Sequence, residues 1–165
     1  MSLQSWEFRT LFLPRSRTAG LAALGLSAAE VKRTVGRVPE VLAYSAATTA
    51  RAAAALKGRL ALDDVAFKKK IALRLPQALG LSYDADVAPE LDALQAGLDL
   101  GDAELRALVL GAPQILGLSY EADVAPSVAR LEREFGSPEA ARAEVLRKPA
   151  ALELEVRGSK RGSAA

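Results

Sequence analysis

The chain has 165 residues, of which 50% are hydrophobic and only 5% aromatic, and its formal net charge is +2. The absence of cysteine excludes disulfides and thiolate metal sites, and the absence of histidine removes the usual general base. The remaining carboxylates and lysines form no motif that pairs an acid with a base, so we expect no enzymatic activity, no metal, no cofactor and no small-molecule substrate. Charged residues interrupt every stretch of about 20 residues, which predicts that no helix spans a membrane.

Residues 1–20 form an N-terminal extension that contains several arginines and few acids. Arginines such as Arg15 and Arg17 in such a context are typical of an organellar targeting peptide. The aromatic residues Trp6 and Phe8 equally favour a capping segment that covers the exposed end of the first repeat. The composition leaves both interpretations open.

Further along the chain, prolines recur at a nearly constant spacing. Pro39, Pro76, Pro113 and Pro149 are separated by 37, 37 and 36 residues, a period typical of helical solenoids. Alanine and leucine are abundant and β-branched residues are too scattered for a sheet, which favours an all-α fold. We therefore predict about four stacked helical repeats of about 37 residues across residues 21–156. Such proteins mostly work by offering an extended binding surface.

The first helix of each repeat is predicted to begin twelve residues before its proline. The residues at this position, most of them strong N-caps, are Ser27, Asp64, Gly101 and Ser137. In the first repeat, Ser27 and Glu30 have the spacing of a capping box. The proline then ends the helix, because it disfavours helical geometry in the residue before it.

The buried face of these helices is predicted by apolar residues four and eight positions before the proline. Val31 and Val35 form this stripe in the first repeat. In the second repeat, Phe67, Ile71 and Leu75 form a stripe that is one residue out of step.

After the proline, each repeat continues through a turn into a second helix. Leu79 and Leu116 are predicted to be buried equivalents. The leucines at this common position are Leu42, Leu79, Leu116 and Leu152. The second helices are predicted to hold Pro89 or Pro126 in their first turn and to end near glycines, which are Gly58, Gly97 and Gly136. Tyr83 and Tyr120 are expected to pack beside the turn, with base stacking as the alternative.

Residues 157–165 are small, polar and basic, and no apolar residue among them is large enough to build a core. We expect this tail to be disordered when free and to be able to order against phosphates.

Three segments carry a family resemblance. Pro76–Ser82 and Pro113–Ser119 share the pattern Pro-Gln-x-Leu-Gly-Leu-Ser, and Leu24–Ser27 reads Leu-Gly-Leu-Ser at the start of a helix. The pattern resembles the repeat of the mitochondrial transcription termination factor (mTERF) family, across about residues 21–156. The resemblance implies a right- or left-handed α-solenoid of helical triplets, two α-helices and a 3₁₀ turn, whose basic concave face binds nucleic acid. It also implies a role in organelle gene expression, in the mitochondrion or alternatively the chloroplast.

Basic residues recur at two positions of the repeat. The first basic row, seven residues before the prolines, consists of Lys32, Lys69, Arg106 and Arg142. The second basic row, two residues before the prolines, consists of Arg37, Arg74 and Arg147, with Gly111 as the gap. Arg33 and Lys70 precede Arg37 and Arg74 by four residues and so share their helical faces. Rows of cations can follow a phosphate backbone, although cations near helix C-termini also complement the helix dipole and keep a surface soluble.

We therefore predict a non-catalytic protein that binds nucleic acid. The short array favours structured RNA over duplex DNA, and a component or assembly factor of an organellar ribosome, with ribosomal proteins as further partners, is the specific version. The alternatives are a DNA-bound transcription termination factor and a protein-interaction scaffold.

Overall fold

A computed structural model describes residues 15–152, and all regular structure in this range is helical. The prediction of an all-α fold is confirmed for this part of the chain. The predicted boundary at residue 20 lies inside the first helix, where Gly20 approaches Thr49 so closely that an added Cβ would lie 3.1 Å from the Thr49 Cβ. Residues 15–20 therefore belong to the folded structure. Trp6, Phe8 and the tail at 157–165 lie outside the described residues.

The chain divides into two compact units, Met1–Tyr83 and Asp84–Ala165. The helices of the first unit are α1 (Arg15–Ala23), α2 (Ala28–Arg37), α3 (Ala46–Arg59) and α4 (Asp64–Phe67), which continues into a π turn (Lys68–Ala72). In the described part of this unit, 3₁₀ turns lie at Pro39–Ala43 and Pro76–Gly80. The helices of the second unit are α5 (Ala88–Gly97), α6 (Asp102–Gly111), α7 (Ala125–Phe135) and α8 (Pro138–Arg147). A 3₁₀ turn at Pro113–Gly117 follows α6, and π turns at Tyr83–Val87 and Tyr120–Val124 lead into α5 and α7.

The capping box predicted for α2 is confirmed. The Ser27 hydroxyl accepts the Glu30 N–H at 3.3 Å, and the Glu30 carboxylate accepts the Ser27 N–H at 2.7 Å. In α6 only the reciprocal half forms, because Gly101 has no side chain; its N–H donates to the Glu104 carboxylate at 2.9 Å. Both helices therefore begin where the sequence predicts, with a glutamate three residues inside.

The start of α4 corrects the predicted register. Asp63, not Asp64, is the N-cap, and its carboxylate accepts the Ala66 N–H at 2.7 Å. The helix is thus one residue longer between its cap and Pro76 than the other first helices are. The π turn takes up this extra residue, with the Leu73 N–H donating to the Lys68 carbonyl at 3.0 Å. This insertion is the physical reason why the apolar stripe of this repeat is out of step.

The core of each unit is built from the predicted apolar positions. Of the common leucines, Leu79, Leu116 and Leu152 are buried, whereas Leu42 is half-buried. Phe67 and Ile71 are buried in the first unit. The prolines Pro89 and Pro126 lie in the first turns of α5 and α7, as predicted. The leucine of the turn therefore lies in the core after three of the four prolines.

The second helices end at Arg59, Gly97 and Phe135, near the glycines that the sequence predicts, but only one of these glycines takes the left-handed position. Gly136 does adopt the left-handed backbone after α7, with a φ of 83°. After α3 and α5, however, the left-handed residues are Ala61 (φ 47°) and Asp99 (φ 49°). Gly58 and Gly97 lie within the helices instead. A short chain reversal is required at each end, but a glycine supplies it in only one of these three places.

Candidate nucleic-acid interface

The members of the first basic row differ in their surroundings. Lys32, Lys69 and Arg106 are exposed. Arg142 is only about a third exposed, and its guanidinium lies 2.5 Å from the Glu104 carboxylate. The row is therefore not a uniform line of cations that face solvent.

In the first unit, the side chain that links α4 to α2 is Lys68. Its ammonium donates to the Gly25 carbonyl at 2.8 Å and lies 2.8 Å from the Glu30 carboxylate. The Lys68 ammonium, followed by the Ser27 N–H, lowers the pKa of Glu30 to about 2. Glu30 thus holds the start of its own helix and the first helix of the following repeat at the same time.

In the second unit, Arg142 and Glu104 make the equivalent link between α8 and α6. Counted from the N-caps, Arg142 and Lys68 are both the fifth residue of their repeats, and Glu104 and Glu30 are both the third. The Gly101 N–H, followed by the Arg142 guanidinium, lowers the pKa of Glu104. Sequence reasoning missed the Lys68–Glu30 pair because alignment on the prolines displaces the second repeat by one residue. It assigned Arg142 to nucleic-acid binding and did not consider Glu104 as its partner. The third-position glutamates were the available signal.

The second basic row also makes contacts inside the units. A guanidinium nitrogen of Arg37, an exposed side chain, donates to the Leu73 carbonyl at 2.5 Å, which satisfies an acceptor at the end of the π turn. Arg147 is held by Glu144 through two hydrogen bonds of 2.7 and 2.8 Å. At the gap in the row, a Cβ on Gly111 would lie 2.9 Å from the Pro149 ring. This position therefore faces the next repeat in both units.

Counting from the N-caps identifies a different exposed position, the sixth residue of each first helix, which we name the outward position. In the first unit it is occupied by Arg33 and Lys69, which are both exposed, and Lys70 follows at once. Arg33, Lys69 and Lys70 have no ion pair with any other residue between 15 and 152. In the second unit the outward position is occupied by Ala107 and Ala143.

The two units also differ in overall charge. Met1–Tyr83 contains thirteen Lys and Arg and five Asp and Glu, whereas Asp84–Ala165 contains nine and fifteen. The net charges are therefore +8 and −6, which sum to the modest +2 of the chain. A near-neutral total hides a strongly basic half and a strongly acidic half.

Two tyrosines pack against glycines. The ring of Tyr120 lies over Gly97, at a place where a Cβ would collide with it, and burial raises the Tyr120 pKa, with smaller contributions from Glu121 and Glu132. This supports the packing role over base stacking for Tyr120. Tyr44 lies over Gly80 in the same way, a contact that no sequence pattern predicts.

Between residues 15 and 152, no group of three or more acidic residues is arranged to hold a metal ion. Asp63 caps α4, and Asp64 lies 2.6 Å from the Lys57 ammonium. Within the same range, every helix is too short or too polar to cross a membrane.

Comparison with known families agrees with this architecture. The sequence model of the family described as mTERF matches residues 5–157. A search of curated proteins gave no match. The family has a helical-repeat solenoid fold, which together with the described helices confirms the predicted α-solenoid. The chain therefore belongs to the mTERF family, whose members are organellar, nucleic-acid-binding factors of gene expression and are generally non-catalytic.

Proposed function

We propose that this protein is a non-catalytic RNA-binding factor that contacts structured RNA, in particular ribosomal RNA, as a component or assembly factor of an organellar ribosome. The observation that carries the proposal is the set of exposed cations on the basic first unit. Six of the nine predicted binding residues lie there and all six are exposed: Lys32, Arg33, Arg37, Lys69, Lys70 and Arg74. Cations at such positions gain affinity by releasing counterions from a phosphate backbone.

Structured RNA is favoured over duplex DNA because the exposed cations of the first unit suit docking on the phosphates of a preformed RNA shape. Reading a duplex requires a helix or ribbon that enters the major groove, and none of the described helices carries a recognisable base-reading motif. The second candidate is a DNA-bound transcription termination factor, which family membership favours.

Ribosomal proteins are the second class of partner in this proposal. The net charge of −6 on the second unit attracts basic proteins and repels nucleic acid. If the protein partner dominates, the chain is a scaffold rather than an RNA-binding factor. We place it in the mitochondrion, with the chloroplast as the alternative, since both locations occur in the family.

The test is a titration of the full-length protein with a ribosomal RNA stem-loop and with a duplex DNA of equal charge, over a range of salt concentrations. We expect tighter binding to the RNA and a steep loss of affinity with salt, about one power of the salt concentration per phosphate contact. Equal binding to the DNA duplex would favour the transcription factor. Absence of binding to both nucleic acids, with co-purification of basic proteins from organelle extracts, would favour the scaffold.

A further inference from the structure

The corrected register of the second repeat changes which cations share a surface. Alignment on the prolines groups Lys69 with Lys32, but counting from the Asp63 cap places Lys69 at the outward position, equivalent to Arg33. Arg33 lies between Glu30 and Arg37 along α2, and these two residues contact Lys68 and Leu73 of the next repeat. Arg33 and Lys69 therefore occupy equivalent places on the solvent edges of two neighbouring first helices.

These cations are available to a ligand. Arg33, Lys69 and Lys70 are exposed and have no ion pair within residues 15–152. Lys68, by contrast, is committed to Glu30 and to the Gly25 carbonyl. Of the three consecutive lysines, one thus holds the repeats together and two face solvent.

The equivalent surface of the second unit lacks these charges. Its outward positions carry Ala107 and Ala143, and Glu144 stands in the place of Lys70. Nearby carboxylates add to the contrast. A pocket of about 120 Å³ in this unit is lined by Asp99, Glu132 and Glu139, together with Arg142, whose charge is already paired with Glu104. Arg106 and Lys148 are exposed in this unit, but its carboxylates outnumber its cations, and the net charge of −6 repels a phosphate backbone that approaches it.

We propose that the phosphate contacts of this protein are confined to the first unit and centre on Arg33, Lys69 and Lys70, while the second unit stays clear of the polyanion. This inference rests on the proposed function, because it names the part of the molecule that carries RNA binding. A basic face shared by all repeats would include Arg106, Arg142 and Arg147. In our proposal these three residues make no phosphate contact.

The experiment compares two triple variants of the full-length protein that remove equal charge from the two units. The first is Arg33→Gln, Lys69→Gln and Lys70→Gln; the matched control is Arg106→Gln, Arg133→Gln and Lys148→Gln, all exposed cations of the second unit. The probe is a ribosomal RNA stem-loop. We expect the first variant to bind at least about tenfold more weakly and to lose about two to three units of salt slope. The control should change by less than about threefold, because distant charges are screened at physiological salt. Circular dichroism should confirm that both variants fold.

The outcomes separate the two proposals. Equal losses in both triple variants would overturn the confinement to the first unit and leave RNA binding intact. Unchanged binding in both variants would also overturn it, because the contacts would then lie elsewhere. Absence of RNA binding by the unmodified protein would overturn the proposed function itself.

A gain-of-charge variant gives an independent test. Ala107→Lys with Ala143→Lys restores cations to the exposed outward positions of the second unit. If RNA does not pass over this unit, the salt slope should stay within about half a unit of the original. An increase of about two units would overturn the inference, since it would show that phosphates lie within reach of both positions.

Discussion

The first and second units are built from the same elements in the same order, yet one is basic and the other acidic. Residues 74 positions apart are equivalents: Ser27 and Gly101 cap the first helices, Glu30 and Glu104 lie three residues inside, and Lys68 and Arg142 reach back to these glutamates. The glutamate–cation link is present in both units although the surrounding charge is reversed. Its recurrence indicates that this position serves the stacking of repeats, whereas the charge of the exposed positions is free to differ.

The same contrast separates structural cations from candidate ligand-binding cations. A basic residue that recurs in every repeat invites a functional interpretation, but two members of the fifth position, Lys68 and Arg142, are paired inside the fold. The outward position varies from Arg33 and Lys69 to Ala107 and Ala143. The difference in charge between the two units at the outward position is therefore a better indication of where the nucleic acid binds than is a basic residue that recurs in every repeat.

The largest expected effect comes from truncating a proline-turn leucine. Leu116 is 2% exposed, so Leu116→Ala should lower the free energy of unfolding by about 2–5 kcal/mol. Its equivalent in the first unit, Leu42, is half-buried, and Leu42→Ala should cost about 1–2 kcal/mol because less apolar surface is lost. Urea denaturation of both variants measures the difference. Equal costs would show that the two units pack this position alike.

A glycine pair tests close packing in one unit against open space in the other. Gly97→Ala places a methyl group against the Tyr120 ring, so we expect a loss of about 1–3 kcal/mol. Gly58 is helical and a Cβ there would meet nothing within 4 Å, so Gly58→Ala should stabilise by about 0.5–1 kcal/mol through helix propensity. Thermal unfolding of each variant reports the sign. A stabilising Gly97→Ala would mean that Tyr120 moves aside without cost.

Local signals made most of the fold predictable. The capping box at Ser27 and the burial of Leu79 and Leu116 depend on residues close in sequence, and both predictions are confirmed. The pairing of Lys68 with Glu30 could not be predicted, because Asp63 and Asp64 are both good N-caps and the sequence does not show which one begins α4. Choosing Asp64 hides the π turn and moves every later position of that helix by one residue.

The candidate site was predictable only in part, for the same reason. The proline alignment identified a basic position, but whether its cations face solvent or a neighbouring carboxylate depends on packing between repeats, as the contrast between Lys69 and Arg142 shows. The left-handed residues Ala61 and Asp99 were missed because neither is a glycine. Chain reversals that tertiary packing enforces leave no local sequence signal.

The glutamate–cation links predict an acid sensitivity with a defined direction. The pKa of Glu30 is lowered to about 2 in the folded protein, so its stabilising contribution is fully present above its usual pKa of 4.5 and is lost as the pH falls toward 2. The stability difference between the unmodified protein and Glu30→Gln should therefore shrink over this pH range. The pKa of Glu104 is lowered as well, so Glu104→Gln should behave in the same direction in the second unit.

Urea denaturation at a series of pH values measures these differences. Lys68→Met is the matched control, because it removes the partner of Glu30 and should flatten the same part of the profile. Curves for the unmodified protein and Glu30→Gln that stay parallel down to pH 2 would show that the link does not contribute to stability.

The smallest expected effect concerns the left-handed turns after α3 and α5. Ala61 holds a φ of 47°, which is strained for a residue with a Cβ, so Ala61→Gly should raise the free energy of unfolding by about 0.5–1 kcal/mol. Asp99 holds a φ of 49° in the second unit, but aspartate tolerates the left-handed region better than alanine does. Asp99→Gly should therefore raise the free energy of unfolding by less, about 0.5 kcal/mol or below. The reverse change, Gly136→Ala at a φ of 83°, should destabilise by about 1 kcal/mol and calibrates the comparison. If Ala61→Gly destabilised the protein instead, the entropy that glycine adds to the unfolded chain would outweigh the relief of backbone strain. The packing around Ala61, and not the choice of residue, would then be what stabilises the left-handed turn.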